Sequence, residues 1–435
     1  MSTFATKLAA TAAIALLPTT AAAGPATAQP RHTPTCESHW IGSWMAAPSD
    51  WISVTDASAV PNLFVAQQTY RLVITPHHGG STARVHLTNR ARPLPMEVGH
   101  VTIGLQADGA DVAPGSLRDV TFGGSRAVTI PAGGDVVSDP VDLSFNGFQP
   151  LAVGVYLPGP APLPTQHFNG NTTSFYSPPF SGDRTADLSG SALTMTTTSM
   201  PLVSGLDTMA PGDTSTIVAL GDSITDGYAG ANLLGLPQDR SVVDRNARYP
   251  DFLQRRLDAA GLPFSVLNAG ISGNRITRHG AIPQYGPSAL DRVQRDVVDK
   301  PGVSDVIVLE GINDLGIPVG VSYDELVDGY TALIDRLHSA GLRVHLGTIT
   351  PTSNALLDGV LTFPPAEPVR QRVNEWIRGQ HLSDSVIDFD AALRDPGNPS
   401  NLNPRYAGPD NLHPNTAGYQ EMAQTIDLNI FRRNC

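Results

Sequence analysis

The sequence predicts two folded parts of different class: an all-β sandwich of jelly-roll type, followed by an α/β domain built on a parallel sheet. Short β-type runs separated by Gly, Pro, Asn and Asp fill residues 36–205, whereas strand-like and helix-like segments alternate after residue 215. The 435 residues also exceed what one hydrophobic core usually covers. We therefore expect a β-sandwich domain over 36–205 and an α/β domain over 215–432.

The first part shows the alternation of apolar and polar side chains that half-buried antiparallel strands require. Residues 69–74, 83–87 and 151–157 are clear strand-like runs, and no long helix is predicted in this part. Some of its aromatic residues could stack on sugars, or they could fill the core or the domain interface. These residues are Trp40, Trp44, Trp51 and Tyr70.

The second part alternates apolar strand-like runs with helical patterns. Strands are predicted at 216–221, 264–268, 304–309, 343–349 and 385–388. Helices are predicted at 248–260, 288–299, 323–340, 366–379 and 415–430. Alternation of this kind implies a parallel sheet with helices on both faces.

A serine follows the first strand of the second part. The apolar run 217–220 leads into Gly-Asp-Ser, which indicates that Ser223 is a nucleophile at a strand end. A serine hydroxyl attacks efficiently only when a base removes its proton and donors receive the oxyanion. Asp410 and His413 could supply the carboxylate and the base, and Asn313 could supply a side-chain donor.

Four segments resemble, in sequence order, the motif blocks of the SGNH hydrolase family, which is also called GDSL. They are GDSIT at 221–225, NAGISGN at 268–274, GIND at 311–314 and DNLH at 410–413. The Gly-x-Ser-x-Gly turn of the other large serine-hydrolase fold does not occur in the chain. The resemblance implies a flavodoxin-like three-layer α/β/α domain, as in secreted bacterial esterases and lipases with an N-terminal β-sandwich.

The resemblance also implies the roles of individual residues. Ser223 would be the nucleophile, His413 its base, and Asp410 the carboxylate that holds the imidazole. The backbone N–H groups of Ser223 and Gly273, together with the Asn313 amide, would form the oxyanion hole. The implied reaction is hydrolysis of carboxylic esters, and it needs neither a metal nor an organic cofactor.

The implied substrate is an ester of a small molecule, a lipid or an acylated polysaccharide. We expect a short-chain or polysaccharide-linked acyl ester, because a secreted enzyme with an attached sandwich fits a polymeric substrate. A lipase for longer chains is an alternative, with the leucine-containing segment 229–237 as an apolar wall or lid. An acyltransferase and a non-catalytic sugar- or surface-binding protein also stay open. Nothing in the sequence predicts the oligomeric state.

The N-terminal sequence and the overall charge bear on compartment and partners. Lys7, an apolar run at 8–17 and small residues near 21–28 are typical of a secretory signal peptide over 1–28. We therefore expect a secreted, extracellular protein. No later segment approaches the ~20 apolar residues of a transmembrane helix. The formal charge of −12 and the pI near 5.4 argue against nucleic acid as a partner.

The two cysteines of the chain are Cys36 and Cys435. In an oxidising compartment two thiols are often paired, so we predict a disulfide that ties together the ends of the mature chain. Two separate thiols are the alternative. Cysteines so far apart form no CxxC motif and do not suggest a zinc site.

Other polar residues are interpreted as structural. Asp222 and Asn274 are expected to hold tight turns through bonds to nearby backbone. His345 lies in an apolar strand, so we expect its ring to be satisfied within the sheet. The pair His77 and His78 is expected in a loop, without metal-ligand partners.

Overall fold

The β-rich region is built from short antiparallel strands. Its strands are β1 (His39–Met45), β2 (Phe64–Val65), β3 (Gln68–Ile74), β4 (Gly80–Thr88), β5 (Met96–Val98), β6 (His100–Leu105), β7 (Arg118–Val120), β8 (Val128–Ile130), β9 (Asp135–Val137), β10 (Val141–Phe145), β11 (Leu151–Leu157), β12 (Ala161–Pro162), β13 (Gln166–His167), β14 (Ser174–Tyr176), β15 (Met195–Thr197), β16 (Met200–Pro201) and β17 (Val203–Ala210). No helix occurs among the described residues of this region. The prediction of an antiparallel β class is confirmed.

Two larger sheets form this region around one apolar core. One has the strand order β1-β17-β4-β10, with β9 also paired to β4, and the other has the order β15-β14-β3-β11-β6-β7. Alternate side chains of both sheets, such as Val85, Leu87, Leu72 and Val153, are fully buried in the same cluster. This arrangement follows from the period of two along a strand, which places every second residue on the inner face.

Some of the aromatic residues that could have stacked on sugars instead pack in the core of the β-rich region. Tyr70 is buried and stacks on Tyr176, with ring centroids 5.5 Å apart. Trp44 packs against the sandwich core, and the guanidinium of Arg84 lies 4.0 Å from the ring centroid of Trp40. For Tyr70 and Trp44 the core interpretation is therefore correct.

The structure, a computed structural model, describes residues 37–50, 64–229, 242–316 and 319–431. Several expectations fall outside these residues. They are the signal peptide over 1–28, the pairing of Cys36 with Cys435, the role of Trp51 and nearly all of the segment 229–237. These remain predictions.

The second region has a five-stranded parallel sheet. Its strands are β18 (Ser215–Gly221), β19 (Phe264–Gly270), β20 (Val303–Leu309), β21 (Arg343–Gly347) and β22 (Ser385–Ile387), and a small antiparallel pair follows, β23 (Arg394–Asp395) and β24 (Asn398–Leu402). The order is β19-β18-β20-β21-β22, so the chain reverses direction across the sheet after β19, and the switch point lies between β18 and β20. Open α/β sheets bind ligands beyond the strand ends at such a switch point.

The helices of this region form two packed groups. They are α1 (Ser223–Asp226), α2 (Tyr249–Ala259), α3 (Ala289–Val293), α4 (Ile312–Leu315), α5 (Tyr323–Ser339), α6 (Ala366–Gly379), α7 (Phe389–Leu393) and α8 (Thr416–Thr425). Helices α2 and α7 contact α8, whereas α3 and α6 contact α5. Right-handed crossovers produce such a division, because the sheet order reverses once and sends the first crossover to the opposite face. The α/β class is confirmed.

Two helices differ from their predicted form: one changes its pitch, and the other ends earlier than predicted. The helix predicted over 288–299 is α-helical only to Val293 and continues as a π-helical turn, Gln294–Val298. The helix predicted over 415–430 stops at Thr425, and Asp427 caps a separate 3₁₀ turn, Leu428–Ile430. Apolar periodicity cannot detect either event, because both preserve which residues face the core.

The two regions pack together within one compact unit. Strand β1 lies against β19, and a Cβ on Gly42 would come within 2.5 Å of Leu267 Cδ1, so a larger residue there would displace the Leu267 side chain. The Gly42 N–H donates to the carbonyl oxygen of Pro301 at 3.2 Å. Strand β17 runs to Ala210, beyond the predicted domain end at 205, because its pairing with β1 continues.

Candidate active site

Ser223 is the first residue of α1, directly after β18. The strand ends at Gly221, and Asp222 caps the short helix by accepting a hydrogen bond from the Ile224 N–H at 2.9 Å. Helix α1 closes at Gly227, whose φ of 84° lies in the left-handed region. The strand and the two caps hold the Ser223 side chain beyond the carboxyl edge of the sheet.

Asp410 and His413 lie in one turn before α8. Asn411 adopts a left-handed conformation with φ of 56°, which asparagine tolerates. The Asp410 Oδ1 atom accepts the backbone N–H groups of Leu412 and His413 at 3.1 and 3.0 Å. The turn therefore folds the carboxylate back toward the imidazole three residues later.

Three side chains form one hydrogen-bonded chain across 190 positions of sequence. His413 Nδ1 donates to Asp410 Oδ2 at 2.6 Å, and Ser223 Oγ donates to His413 Nε2 at 2.8 Å. All three residues are nearly buried. Burial opposes ionisation of Asp410, yet the bonds from His413 and the backbone outweigh it and lower the pKa of that carboxyl. An imidazole in this setting can take a proton from the serine hydroxyl.

The loop after β19 carries the candidate backbone donor Gly273. Its φ is 77°, and a Cβ there would lie 2.2 Å from the Tyr285 ring, so a side chain would be strained and would also clash. Helix α4 carries Asn313 after β20, and its Nδ2 donates to the Asn274 carbonyl oxygen at 3.0 Å. That bond uses one of the two amide hydrogens, which leaves the other able to serve a ligand.

Residues outside the predicted set complete the surroundings. The Tyr228 ring meets the His413 ring edge to face, with centroids 4.9 Å apart, and Tyr419 donates its hydroxyl to the Tyr228 carbonyl oxygen at 2.7 Å. Buried Arg292 donates to the carbonyl oxygens of Gly221 and Ala269 at 2.9 and 2.6 Å. Neither tyrosine nor this arginine stands in a recognisable motif, so the sequence carried no signal for them.

Acidic side chains are crowded beneath the strand ends. Burial and neighbouring acids raise the pKa of Asp222 to about 7, and burial raises the pKa of Asp314 to about 6. Burial and the proximity of Asp222 also raise the pKa of Glu310, although Arg292 lies 3.3 Å from Glu310 Oε1. Arg292 also lies 3.3 Å from Asp296 Oδ2, so one arginine serves two buried carboxyl groups, Glu310 and Asp296.

The polar residues that the sequence assigns to structural roles form hydrogen bonds with other residues of the protein. The Asn274 amide donates to the carbonyl oxygens of Tyr285 and Pro287 at 2.8 and 2.7 Å. His345 bonds Ser385 Oγ and Asp305 Oδ1 at 2.8 and 2.9 Å, within the sheet. His77 lies in a loop, as predicted, but it is buried and bonds Asp251 across the two regions.

Neither a metal cluster nor a membrane helix is found in the described ranges. These residues contain no group of three or more His, Cys, Asp or Glu side chains suited to a metal ion. None of their helices is both long and apolar enough to cross a bilayer.

The domain at residues 219–421 defines the class of protein, a carboxylic ester hydrolase. Residues 219–421 match the model of the GDSL-like lipase/acylhydrolase family. No curated protein sequence matches the chain.

Several solved structures resemble the α/β part. The aryl esterase of M. smegmatis is 17% identical, with 48% of this chain and 95% of that chain covered and a TM-score of 0.39. Est24, a carbohydrate acetylesterase from Sinorhizobium meliloti, is 13% identical over 48% and 94% of the two chains, with a TM-score of 0.39. The acetyl xylan esterase AlAXEase is 23% identical over 48% and 96%, with a TM-score of 0.35.

Proposed function

We propose that this chain is a secreted serine hydrolase that cleaves carboxylic esters through an acyl-enzyme on Ser223. The observation that carries the proposal is the unbroken chain from Asp410 through His413 to Ser223, with links of 2.6 and 2.8 Å. Such a chain activates a hydroxyl that is otherwise a weak nucleophile. The GDSL family match supports the same chemistry.

In the proposed reaction His413 Nε2 takes the proton of Ser223 Oγ as that oxygen bonds to the ester carbonyl carbon. The imidazolium then gives the proton to the leaving alkoxide, the C–O bond breaks, and an alcohol departs. Water attacks the acyl-enzyme by the same proton route and releases a carboxylic acid. Asp410 holds the Nδ1–H and stabilises the positive ring throughout.

The tetrahedral intermediates need donors for their oxyanion. We assign this role to the backbone N–H groups of Ser223 and Gly273 and to the free amide hydrogen of Asn313. The Asn313 bond to Asn274 supports this assignment, because it fixes the amide next to the loop that carries Gly273. Pre-oriented donors stabilise developing charge without reorganisation.

A short acyl group, including one attached to a polysaccharide, is the substrate we favour. The Tyr228 ring lies against His413, and the Tyr285 ring lies against Gly273, so aromatic walls stand close to both ends of the site. A narrow site accepts a small acyl group more readily than a bulky one.

A lipase activity on longer chains is the second candidate. Exposed apolar side chains lie on two segments that are joined by a hydrogen bond from the Gly320 N–H to the Phe363 carbonyl oxygen at 3.2 Å. They are Val319, Val360, Leu361 and Phe363. Clustered exposed apolar residues are typical of surfaces that bind apolar ligands.

Hydrolysis of p-nitrophenyl esters from acetate to palmitate, with wild type and Ser223→Ala in parallel, tests the proposal. We expect serine-dependent release that is fastest for short chains. Fastest release from long chains would favour the lipase, and a new ester formed with an added alcohol would identify an acyltransferase. Wild-type turnover by Ser223→Ala would reject the nucleophile, and no release from any ester would favour a binding protein.

Secretion and the disulfide belong to the same proposal. We expect export to remove residues 1–28 and Cys36 to pair with Cys435. Intact mass under non-reducing conditions would then lie two hydrogens below the mass of the reduced chain. A full count of free thiols would reject the pairing, and a mature protein that begins at Met1 would reject the signal peptide.

A further inference from the structure

A histidine of the β-rich region reaches the candidate active site. His167 lies on the two-residue strand β13, and its side chain is 5% exposed. Its Nε2 atom lies 3.0 Å from Oδ1 of Asp226, the last residue of α1, which begins with Ser223. The β-rich region therefore touches the helix that presents the nucleophile.

Both nitrogens of the His167 ring face acceptors. Nδ1 lies 2.8 Å from the carbonyl oxygen of Ala47, and Nε2 faces the Asp226 carboxylate. Both bonds form together only when both nitrogens carry hydrogen, as in an imidazolium. Burial disfavours that charge, but Asp226 and the Ala47 carbonyl outweigh burial and the repulsion from Arg248, and the pKa of His167 is raised. A buried ion pair results.

The second oxygen of Asp226 holds the loop of the candidate oxyanion hole. Oδ2 accepts the Ser272 N–H at 3.1 Å and the Ser272 hydroxyl at 2.7 Å. Ser272 directly precedes Gly273, whose N–H is the proposed oxyanion donor. The Asp226 carboxylate thus connects His167, α1 and this loop.

We propose that His167 is a positioning residue of the hydrolase: it fixes Asp226, which fixes Ser272 and thereby aims the Gly273 N–H at the oxyanion. The β-rich region then completes the oxyanion hole of the α/β domain. This inference rests on the proposed function.

Loss of the ring would leave Asp226 buried without its cation, so the carboxylate would no longer be held in one orientation. Removing one oxyanion donor outright typically lowers the rate by about 10²- to 10³-fold. A misdirected donor should cost less, so we expect His167→Leu to lower kcat by about 10- to 100-fold with little change in KM. His167→Gln should recover part of this loss, because its amide N–H can still donate to Asp226.

A second buried bridge between the regions offers a matched control. His77 Nδ1 lies 2.6 Å from the Val266 carbonyl oxygen, and Nε2 lies 2.8 Å from Asp251 Oδ1. Asp251 lies on α2, and its other oxygen accepts the Arg248 N–H instead of a bond from the loop at 271–274. His77→Leu should therefore lower the unfolding temperature as much as His167→Leu does, while kcat stays at the wild-type value.

The experiment compares kcat, KM and unfolding temperature of wild type, His167→Leu, His167→Gln, His77→Leu and Ser223→Ala on one p-nitrophenyl ester. A kcat loss in His167→Leu with partial recovery in His167→Gln supports the proposal. Wild-type kcat in His167→Leu, or an equal kcat loss in His77→Leu, overturns it. Wild-type turnover by Ser223→Ala would instead reject the proposed function itself.

A variant at Ser272 tests the proposal even if His167→Leu does not fold. Ser272→Ala removes the hydroxyl bond to Asp226 and leaves the backbone bond in place. It should lower kcat by about 3- to 10-fold, a fraction of the effect of losing one donor completely. If His167→Leu does not fold and Ser272→Ala has wild-type kcat, the proposal is rejected.

Discussion

Buried carboxyl groups have opposite surroundings at two sites, one in each region. In the β-rich region Asp207 accepts bonds from Arg84 and His86, both at 2.7 Å, and these partners outweigh burial and lower its pKa. Beneath the strand ends of the α/β region, Asp222 and Glu310 are buried near each other, and both pKa values are raised. Asp207 is thus paired with bases, whereas Asp222 and Glu310 are crowded together beneath the strand ends.

This difference distinguishes a carboxyl group arranged for stability from carboxyl groups that lie next to the candidate active site. Paired charges in a sandwich favour the ionised state and specify one packing. Shifted pKa values from crowded acids are typical of functional sites, where charge is positioned at a cost in stability. Substitutions around Asp207 and substitutions in the candidate active site should therefore separate effects on stability from effects on turnover.

The largest expected difference concerns two histidines. His413→Ala removes the proposed base and should lower kcat by about 10⁴-fold or more, with little change in the unfolding temperature. His86→Ala breaks the bond to Asp207 and should lower the unfolding temperature while kcat stays constant. Kinetics and thermal unfolding of both variants check this, and a His413→Ala enzyme with more than a tenth of wild-type kcat would exclude His413 as the base.

Two asparagines provide the next comparison. Asn313→Ala removes a proposed oxyanion donor and should lower kcat by about 10²- to 10³-fold, with a small change in KM. Asn89, fully buried in the β-rich region, donates to the carbonyl oxygens of Leu94 and Pro131 at 2.8 and 3.1 Å. Asn89→Ala should cost about 1–3 kcal/mol of unfolding free energy and leave kcat unchanged. A pure KM effect in Asn313→Ala would assign that residue to substrate binding.

Asp207 should stabilise the fold increasingly as pH rises. Its folded-state pKa lies below the ordinary value of 3.8, so its contribution is present above that value and is lost as pH falls through the folded-state pKa. Asp207→Asn should lower the unfolding free energy by about 2–3 kcal/mol at pH 7 and by less at pH 3. Denaturant titrations at both values measure it, and an equal loss at each pH would contradict the charge argument.

The contribution of Asp222 to stability should depend on pH in the opposite direction. Its folded-state pKa is raised to about 7, so its contribution is present below the ordinary value of 3.8 and is lost as pH rises through 7. Between pH 4 and pH 8 the unfolding free energy of Asp222→Asn should therefore rise by about 4 kcal/mol relative to that of wild type, and asparagine can still cap α1. A difference that is constant over this range would show that Asp222 is not protonated in the fold.

Local patterns predict the elements of the α/β region well. Helix α5, predicted over 323–340, is observed over Tyr323–Ser339, because Ser322 caps it and its apolar residues recur at helical spacing. Strand β20, predicted over 304–309, is observed over Val303–Leu309. The sequence did not predict which β-rich strands pair. Strand β1, for example, pairs with β17, which lies at the other end of that region in sequence.

The sequence by itself determined the class of both regions, the order of the motif blocks and the residues that carry the proposed chemistry. Each of these depends on neighbours within a few positions: a strand end, a cap or a turn. Only the tertiary structure decided that Tyr228 packs on His413, that Arg292 lies under two strand ends, and that His167 binds Asp226. These contacts join side chains from distant segments, and a lone histidine between short strands carries no local signal of the carboxylate that it meets.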